Sequence, residues 1–306
     1  MPEIDQFPPG LPSWADLATP DDDESASFYE ELLGLEAGEG SEEHGGYRIF
    51  FKDGKQIAGL MKIQNEGQPP SWTTYINVED ADDVTEKVKD ADGEVHVEPM
   101  DVGDLGRMAV YGDNSGAVFG VWQPGEHKGS EVVSEPGSIA WHQVNTRDPE
   151  DALEFYSQVF GWESEQVDTG GADYWQLTKD GANVGGVFRM GDDFPDEVPA
   201  HWIVYFAVED CDAATEKAKE NGATVNAEPF DNEAGRFSVL QDPHGAAFAL
   251  INQGGGSVVN QESEEDSGDE DSGEEDSGDD SSGESAAGDD SSDEKDEEDE
   301  TKKDDD

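Results

Sequence analysis

A chain of 306 residues with 77 acidic and 17 basic side chains carries a net charge of −60, which excludes direct binding to a nucleic-acid backbone, because nothing offsets phosphate repulsion. A single cysteine, Cys211, rules out an intramolecular disulfide. No apolar run approaches the ~20 residues that a bilayer-crossing helix needs, and residues 1–10 have neither a basic region nor an apolar stretch. The expectation is a soluble cytoplasmic protein with no nucleic-acid and no membrane partner.

In chain order, Trp14-Ala15-Asp16-Leu17, Phe28-Tyr29 and Gly34-Leu35-Glu36 come first, and return 127 positions later as Trp141-His142-Gln143-Val144, Phe155-Tyr156 and Gly161-Trp162-Glu163. Val78-Glu79-Asp80, Thr85-Glu86-Lys87 and Glu98-Pro99 return as Val208-Glu209-Asp210, Thr215-Glu216-Lys217 and Glu228-Pro229. A repeat of this length is a whole domain, so the chain is a tandem duplication. The boundaries are a first domain at 10–124, a Gly/Glu/Ser/Pro linker at 125–136, a second domain at 137–253 and a tail at 254–306.

The second copy shows the order of elements within a domain. An apolar-alternating strand is expected at 138–146 and a helix at 149–160, with Pro149 in its first turn, apolar residues at helical spacing, and Gly161 as C-cap. Strands follow at 162–167, 174–178 and 184–190. The same order then restarts, with a strand at 202–208, a helix at 212–221, and strands at 224–227, 236–241 and 246–251. Each domain is thus two βαβββ units, and the chain holds four. The tail contains 25 acidic residues, 3 lysines and no aromatic residue. It cannot bury enough apolar surface to offset the entropy of ordering, so it is expected to be disordered.

This ordered set, with its Phe-Tyr helix, Gly-hydrophobic-Glu exit and closing Asp-Pro-x-Gly hairpin at Asp242-Pro243-His244-Gly245, resembles the vicinal oxygen chelate superfamily. That superfamily includes glyoxalase I, bleomycin-resistance proteins and extradiol dioxygenases; the likeness is to its two-domain glyoxalase-like or hydroxylase-like branch and covers residues 10–253. The resemblance implies an α+β fold in which each domain is a curved eight-stranded mixed sheet wrapping a pocket. In metal-dependent members it also implies a divalent ion held by a first-strand His, a His or Gln opening the second unit, and a last-strand Glu. Counting back from the Phe-Tyr pairs puts Trp14 and Trp141 at the first-strand position; the second units open with Thr73 and Ile203, and four residues after the hairpin Gly the last strands carry Gly120 and Ala249. No cofactor is therefore expected, with a divalent metal on His142, Gln176 and His201 as the alternative.

Trp14, Trp72, Trp141 and Trp202, one per unit, read either as an aromatic-lined pocket stacking a flat ligand or as core at the seam between units. Arg107 and Arg236 stand after a Gly at the entry to a late strand, and would hold a ligand carboxylate or form structural ion pairs with the Asp-rich turns. His142 would point into the cup in a register shifted by one, and otherwise is a strand histidine. Gln176 falls near a ligand position of some relatives, and His201 opens a strand beside Trp202.

The leading expectation is a metal-free binder of a small organic molecule, with the two domains pairing within the chain. The alternatives are a lyase or dioxygenase-type enzyme with an unconventional metal site, or an interaction protein acting through its acidic tail. Without the tail the body still has 52 acidic and 14 basic residues. That composition resembles proteins of extreme halophiles, since a Debye length of about 3 Å in 1 M salt screens such self-repulsion; a surface for a basic partner is the rival reading.

Overall fold

The computed structural model describes residues 6–254 apart from 66 and 170. The tail expected to be disordered lies outside these residues beyond Gly254. The first domain runs β1 (Pro12–Thr19), α1 (Asp22–Leu33), β2 (Glu36–Ala37), β3 (Arg48–Lys52), β4 (Lys55–Lys62), then β5 (Ser71–Asn77), α2 (Ala81–Asp90), β6 (Glu94–Val102), β7 (Gly106–Gly112) and β8 (Val118–Pro124). The second repeats it as β9 (Ile139–Thr146), α3 (Pro149–Phe160), β10 (Glu163–Asp168), β11 (Asp173–Lys179), β12 (Ala182–Arg189), then β13 (His201–Ala207), α4 (Cys211–Glu220), β14 (Thr224–Asn232), β15 (Gly235–Gln241) and β16 (Ala247–Asn252). The described residues hold four βαβββ units in two eight-stranded mixed sheets, ordered β2-β3-β4-β1-β5-β8-β7-β6 and β10-β11-β12-β9-β13-β16-β15-β14.

Within each unit the first and last strands pair in parallel, as β1 with β4 and β5 with β8, which is why a crossover helix must separate them. The two units of a domain join through the antiparallel pair of their first strands. Local sequence sets the helix ends. Asp21, Asp80 and Asp210 cap α1, α2 and α4 by accepting from backbone N–H groups of the first turn. Gly34 and Gly161 close α1 and α3 in the left-handed conformation, at φ of 67° and 70°, which glycine adopts without steric cost.

Strand β14 runs five residues beyond the expected end at 227, through Pro229. It is an edge strand with register shifts at Val225/Ala227 and Ala227/Phe230. The missing N–H of a proline is tolerated there because no ladder partner is lost.

The two domains share their cores. One apolar cluster joins Phe28, Tyr29 and Leu32 of α1 to Phe206, Leu240 and Phe248 of the second domain. Its counterpart joins Val84, Val88 and Phe119 of the first domain to Phe155, Tyr156 and Val159 of α3. Each helix with the Phe-Tyr pair therefore covers the other copy's sheet as well as its own. No helix among the described residues is long and apolar enough to cross a membrane.

Candidate functional site

Alternation along the central strands divides the candidate residues between two faces. On β1, Ala15 and Leu17 point into the core shared with α1, so Trp14 and Asp16 point to the concave side. On β9 and β13, the cross-strand pairs Trp141/Tyr205, Gln143/Ile203 and Asn145/His201 line the concave side. The pairs His142/Val204 and Val144/Trp202 face the seam between domains.

The four tryptophans consequently separate into two sets. Trp14 and Trp141 stand on the two concave faces, where their indole N–H groups donate to Tyr47 and Tyr174 hydroxyls at 2.9 and 2.8 Å. Trp72 and Trp202 are buried at the seam and donate to the hydroxyls of Tyr29 and Tyr156, each at 2.9 Å. Those hydroxyls in turn donate across the domain boundary, Tyr29 to Asp242 at 3.2 Å and Tyr156 to Asp113 at 2.9 Å. The Trp-Tyr-Asp chains lock the two copies together, because a buried carboxylate and a buried phenol each need a partner.

His142 also belongs to this seam. Its Nδ1 lies 2.9 Å from the Thr74 hydroxyl of the other domain, and burial pushes its pKa down to about 3, so the ring is neutral. Gln176 and His201 stand on the opposite face of the sheet, so the three residues of the alternative metal site cannot share an ion. Arg107 is held by Asp82 at 2.5 Å and Asp101 at 2.9 Å. Arg236 grips Asp212 through two nitrogens and reaches Asp231 at 2.8 Å. Both guanidinium groups are thus occupied by carboxylates of their own domains.

The first concave face is filled. Trp14, Tyr75 and Trp122 form a buried cluster, and His127 from the linker packs edge-on against Trp14 and Trp122, with ring centroids 4.5 and 5.5 Å apart. Trp122 donates to the His127 carbonyl, and the backbone N–H groups of residues 125–127 bind carbonyls of Asp104 and Leu105. Beneath this strap lies Asp16, whose Oδ2 accepts from Tyr47 at 3.4 Å. Burial lifts the Asp16 carboxyl to about 7, against the opposing hydrogen bonds of Tyr75 and Tyr47.

The second concave face is more open: Trp141, Tyr174, Gln176, His201 and Phe237 are all partly exposed. It carries a hydrogen-bond chain with one consistent direction. His201 Nδ1 lies 2.9 Å from the Pro199 carbonyl, which can only accept, so Nδ1 carries the proton and Nε2 is an acceptor. Asn145 Nδ2 donates to that Nε2 at 3.0 Å, Gln143 Nε2 donates to Asn145 Oδ1 at 2.6 Å, and the Tyr205 hydroxyl donates to Gln143 Oε1 at 3.0 Å. Burial lowers the His201 pKa, which keeps the ring neutral. Gln176 donates to Asn183 at 2.5 Å nearby. A separate surface groove of about 410 Å³, between Pro20, Ile63, Gln68 and Pro70, contains none of these residues.

Asp16, Gln143, Asn145, Tyr47, Tyr174 and Tyr205 are missed by sequence reasoning that stops at Trp14 and Trp141. The period of two along a strand is the signal that finds three of them: Asp16 is two positions after Trp14, and Gln143 and Asn145 are two and four after Trp141.

These donors do not fit a divalent ion. Among the described residues no three His, Cys, Asp or Glu side chains converge to hold one, and neutral amides with a single carboxylate make a poor set for a metal. At Gly120, on the last strand, a Cβ would lie 2.3 Å from the Tyr75 ring. Gly120→Glu is therefore expected to cost about 1–3 kcal/mol by overpacking, with no rise in Tm on adding Mn2+; stability equal to wild type, or a metal-dependent rise, would contradict this.

The same organisation is found in known proteins. Residues 12–121 match the family model of the glyoxalase/bleomycin resistance protein/dioxygenase superfamily, and residues 141–251 match that of a glyoxalase-like domain. The chain is 38% identical over 258 residues to the Mycobacterium tuberculosis protein "Putative glyoxylase CFP32", covering 82% of this chain and 98% of that one. It is likewise 38% identical over 263 residues to the anthracycline biosynthesis protein DnrV of Streptomyces peucetius, covering 80% and 94%. In fold it is similar to the Mn(II)-bound glyoxalase of Novosphingobium aromaticivorans, at a TM-score of 0.57 and 16% identity over 80% of this chain and 83% of that one. With two such domains in tandem and a relative matched along nearly its whole length, the chain belongs to the glyoxalase/bleomycin resistance protein/dioxygenase superfamily.

Proposed function

We propose that this protein binds a small, flat, uncharged organic molecule on the concave face of its second domain. The observation that carries this reading is the directional chain Tyr205–Gln143–Asn145–His201, set beside the partly exposed rings of Trp141, Tyr174 and Phe237. An aromatic wall with a few fixed polar groups is the usual make-up of a small-molecule site. Charge supports an uncharged ligand: His201 is neutral, and Arg236 is committed to Asp212 and Asp231. The first face is a poorer host, because His127 and Trp122 already fill it.

A role in holding or presenting a polycyclic metabolite agrees with the anthracycline biosynthesis protein being a relative over most of its length. Titration with an anthracycline aglycone, the uncharged ring system without its amino sugar, followed by tryptophan fluorescence in high salt, tests the reading. Saturable binding is expected, and Trp141→Ala should weaken it at least tenfold, the loss of about 1.4 kcal/mol expected from removing one stacked aromatic wall. An affinity unchanged by Trp141→Ala would place the molecule elsewhere and overturn the reading.

A further inference from the structure

The two concave faces carry the same aromatic frame and differ in how its hydrogen-bond donors are used. Trp14, Tyr47 and Tyr75 of the first domain correspond to Trp141, Tyr174 and Tyr205 of the second, and Asp16 corresponds to Gln143. In the first domain the carboxylate absorbs the surrounding donors: Tyr47 and Tyr75 both hydrogen-bond to Asp16. In the second domain an amide stands in that place and donors are left over. The Tyr174 hydroxyl accepts from Trp141, and its own proton has no acceptor among the described hydrogen bonds. Gln143 Nε2 and Asn145 Nδ2 each use one N–H proton within the chain of bonds, and an amide nitrogen has two. Both side chains belong to residues less than a tenth exposed, at 8% and 5%. A buried N–H without a partner is costly, so such protons are waiting for acceptors. The direction of the chain is fixed by the Pro199 carbonyl, so Gln143 and Asn145 cannot turn their oxygens outward without breaking it.

Resting on the proposed ligand site, we infer that the second concave face selects planar ring systems whose edge bears a carbonyl oxygen, in the manner of a quinone. Gln143 and Asn145 lie two positions apart on one strand face and their amide groups touch through a hydrogen bond of 2.6 Å, so their spare protons stand side by side and address one carbonyl-bearing edge of the ligand. The Tyr174 hydroxyl adds a third donor, and Trp141 and Phe237 receive the ring faces. A carboxylate ligand gains no ion pair from Arg236, which Asp212 and Asp231 already hold.

Two probes differing only in the oxygens test this: 2-(hydroxymethyl)anthraquinone and 2-(hydroxymethyl)anthracene, titrated against the full chain. The quinone is expected to bind at least tenfold more tightly. Gln143→Glu, which keeps the side-chain shape but removes both N–H donors, should lower the quinone affinity about tenfold and change that for the anthracene less than twofold, with near-UV circular dichroism unchanged. Tyr174→Phe, tested in parallel because a glutamate at 143 brings a buried charge, should weaken the quinone selectively as well. Equal binding of both probes to wild type, or equal loss of both in the variants, overturns the carbonyl inference. The ligand site itself then still stands if Trp141→Ala weakens both probes. Absence of any saturable signal from either compound overturns the inference and the ligand-site reading together.

Discussion

Asp113→Ala is expected to lower the unfolding free energy by about 3 kcal/mol or more, since each buried donor left without an acceptor costs about 1–3 kcal/mol. The Asp113 carboxylate accepts from the Ser115 N–H at 2.9 Å, the Ser115 hydroxyl at 2.7 Å, the Ala117 N–H at 2.9 Å and the Tyr156 hydroxyl at 2.9 Å. The first three bonds hold the hairpin between β7 and β8; the fourth crosses to the other domain. Removing the side chain therefore loosens a turn and orphans a phenol that is itself the acceptor for Trp202. Tyr156→Phe should cost about 1–3 kcal/mol, because it leaves the buried Trp202 N–H without its acceptor while the Asp113 carboxylate keeps its hairpin donors. Denaturant unfolding in high salt checks both. A single transition is expected to move as a whole, because the apolar clusters cross the domain boundary. A loss below 1 kcal/mol for Asp113→Ala, or two resolved transitions, would contradict the account of the seam.

The second large effect concerns Asp16. Its folded-state pKa of about 7 lies above the ordinary value of 3.8, with burial as the main cause. The folded state thus holds a proton that the unfolded state releases at lower pH. Folding is not penalised below about pH 4; the penalty grows as pH rises to about 7 and is constant above that. Asp16→Asn removes the ionisation and keeps an acceptor for Tyr47. At pH 8 the variant should be more stable than wild type by roughly 4 kcal/mol, taking 1.36 kcal/mol per pKa unit. At pH 4 the difference should vanish. Comparing variant with wild type at each pH cancels the titration of the many other carboxylates. A difference that does not change between pH 4 and 8 would refute the buried, proton-holding Asp16; the second domain, with Gln143 in the same place, carries no such group.

Much of the architecture is legible in the chain because it is written twice in local terms. Helix caps at Asp and Gly, apolar spacing on α3, and the Asp-Pro-x-Gly hairpin act within a few residues of themselves, so spacing alone reveals them. Strand β14 is the exception: whether a chain can pass through Pro229 depends on its being at a sheet edge, which is a property of neighbours far away in sequence. The same holds for side-chain direction. The repeat marks Trp14, Trp72, Trp141 and Trp202 as a set, and the period of two says that neighbours on a strand face opposite ways. It does not say which way faces the other domain.

Sequence by itself therefore determined the duplication, the four βαβββ units and the vacancy of the last-strand carboxylate at Gly120 and Ala249, since these depend only on residue identity and spacing. Tertiary structure alone decided that Trp72, Trp202 and His142 serve the seam while Trp14 and Trp141 line the concave faces. It also decided that Arg107 and Arg236 are tied to nearby aspartates, that the linker's His127 fills one face, and that Gln143, Asn145 and His201 form a directed chain on the other. The physical reason is that burial and hydrogen-bond direction are set by groups brought together across dozens of residues, and the orientation of each amide follows from a single fixed carbonyl at Pro199.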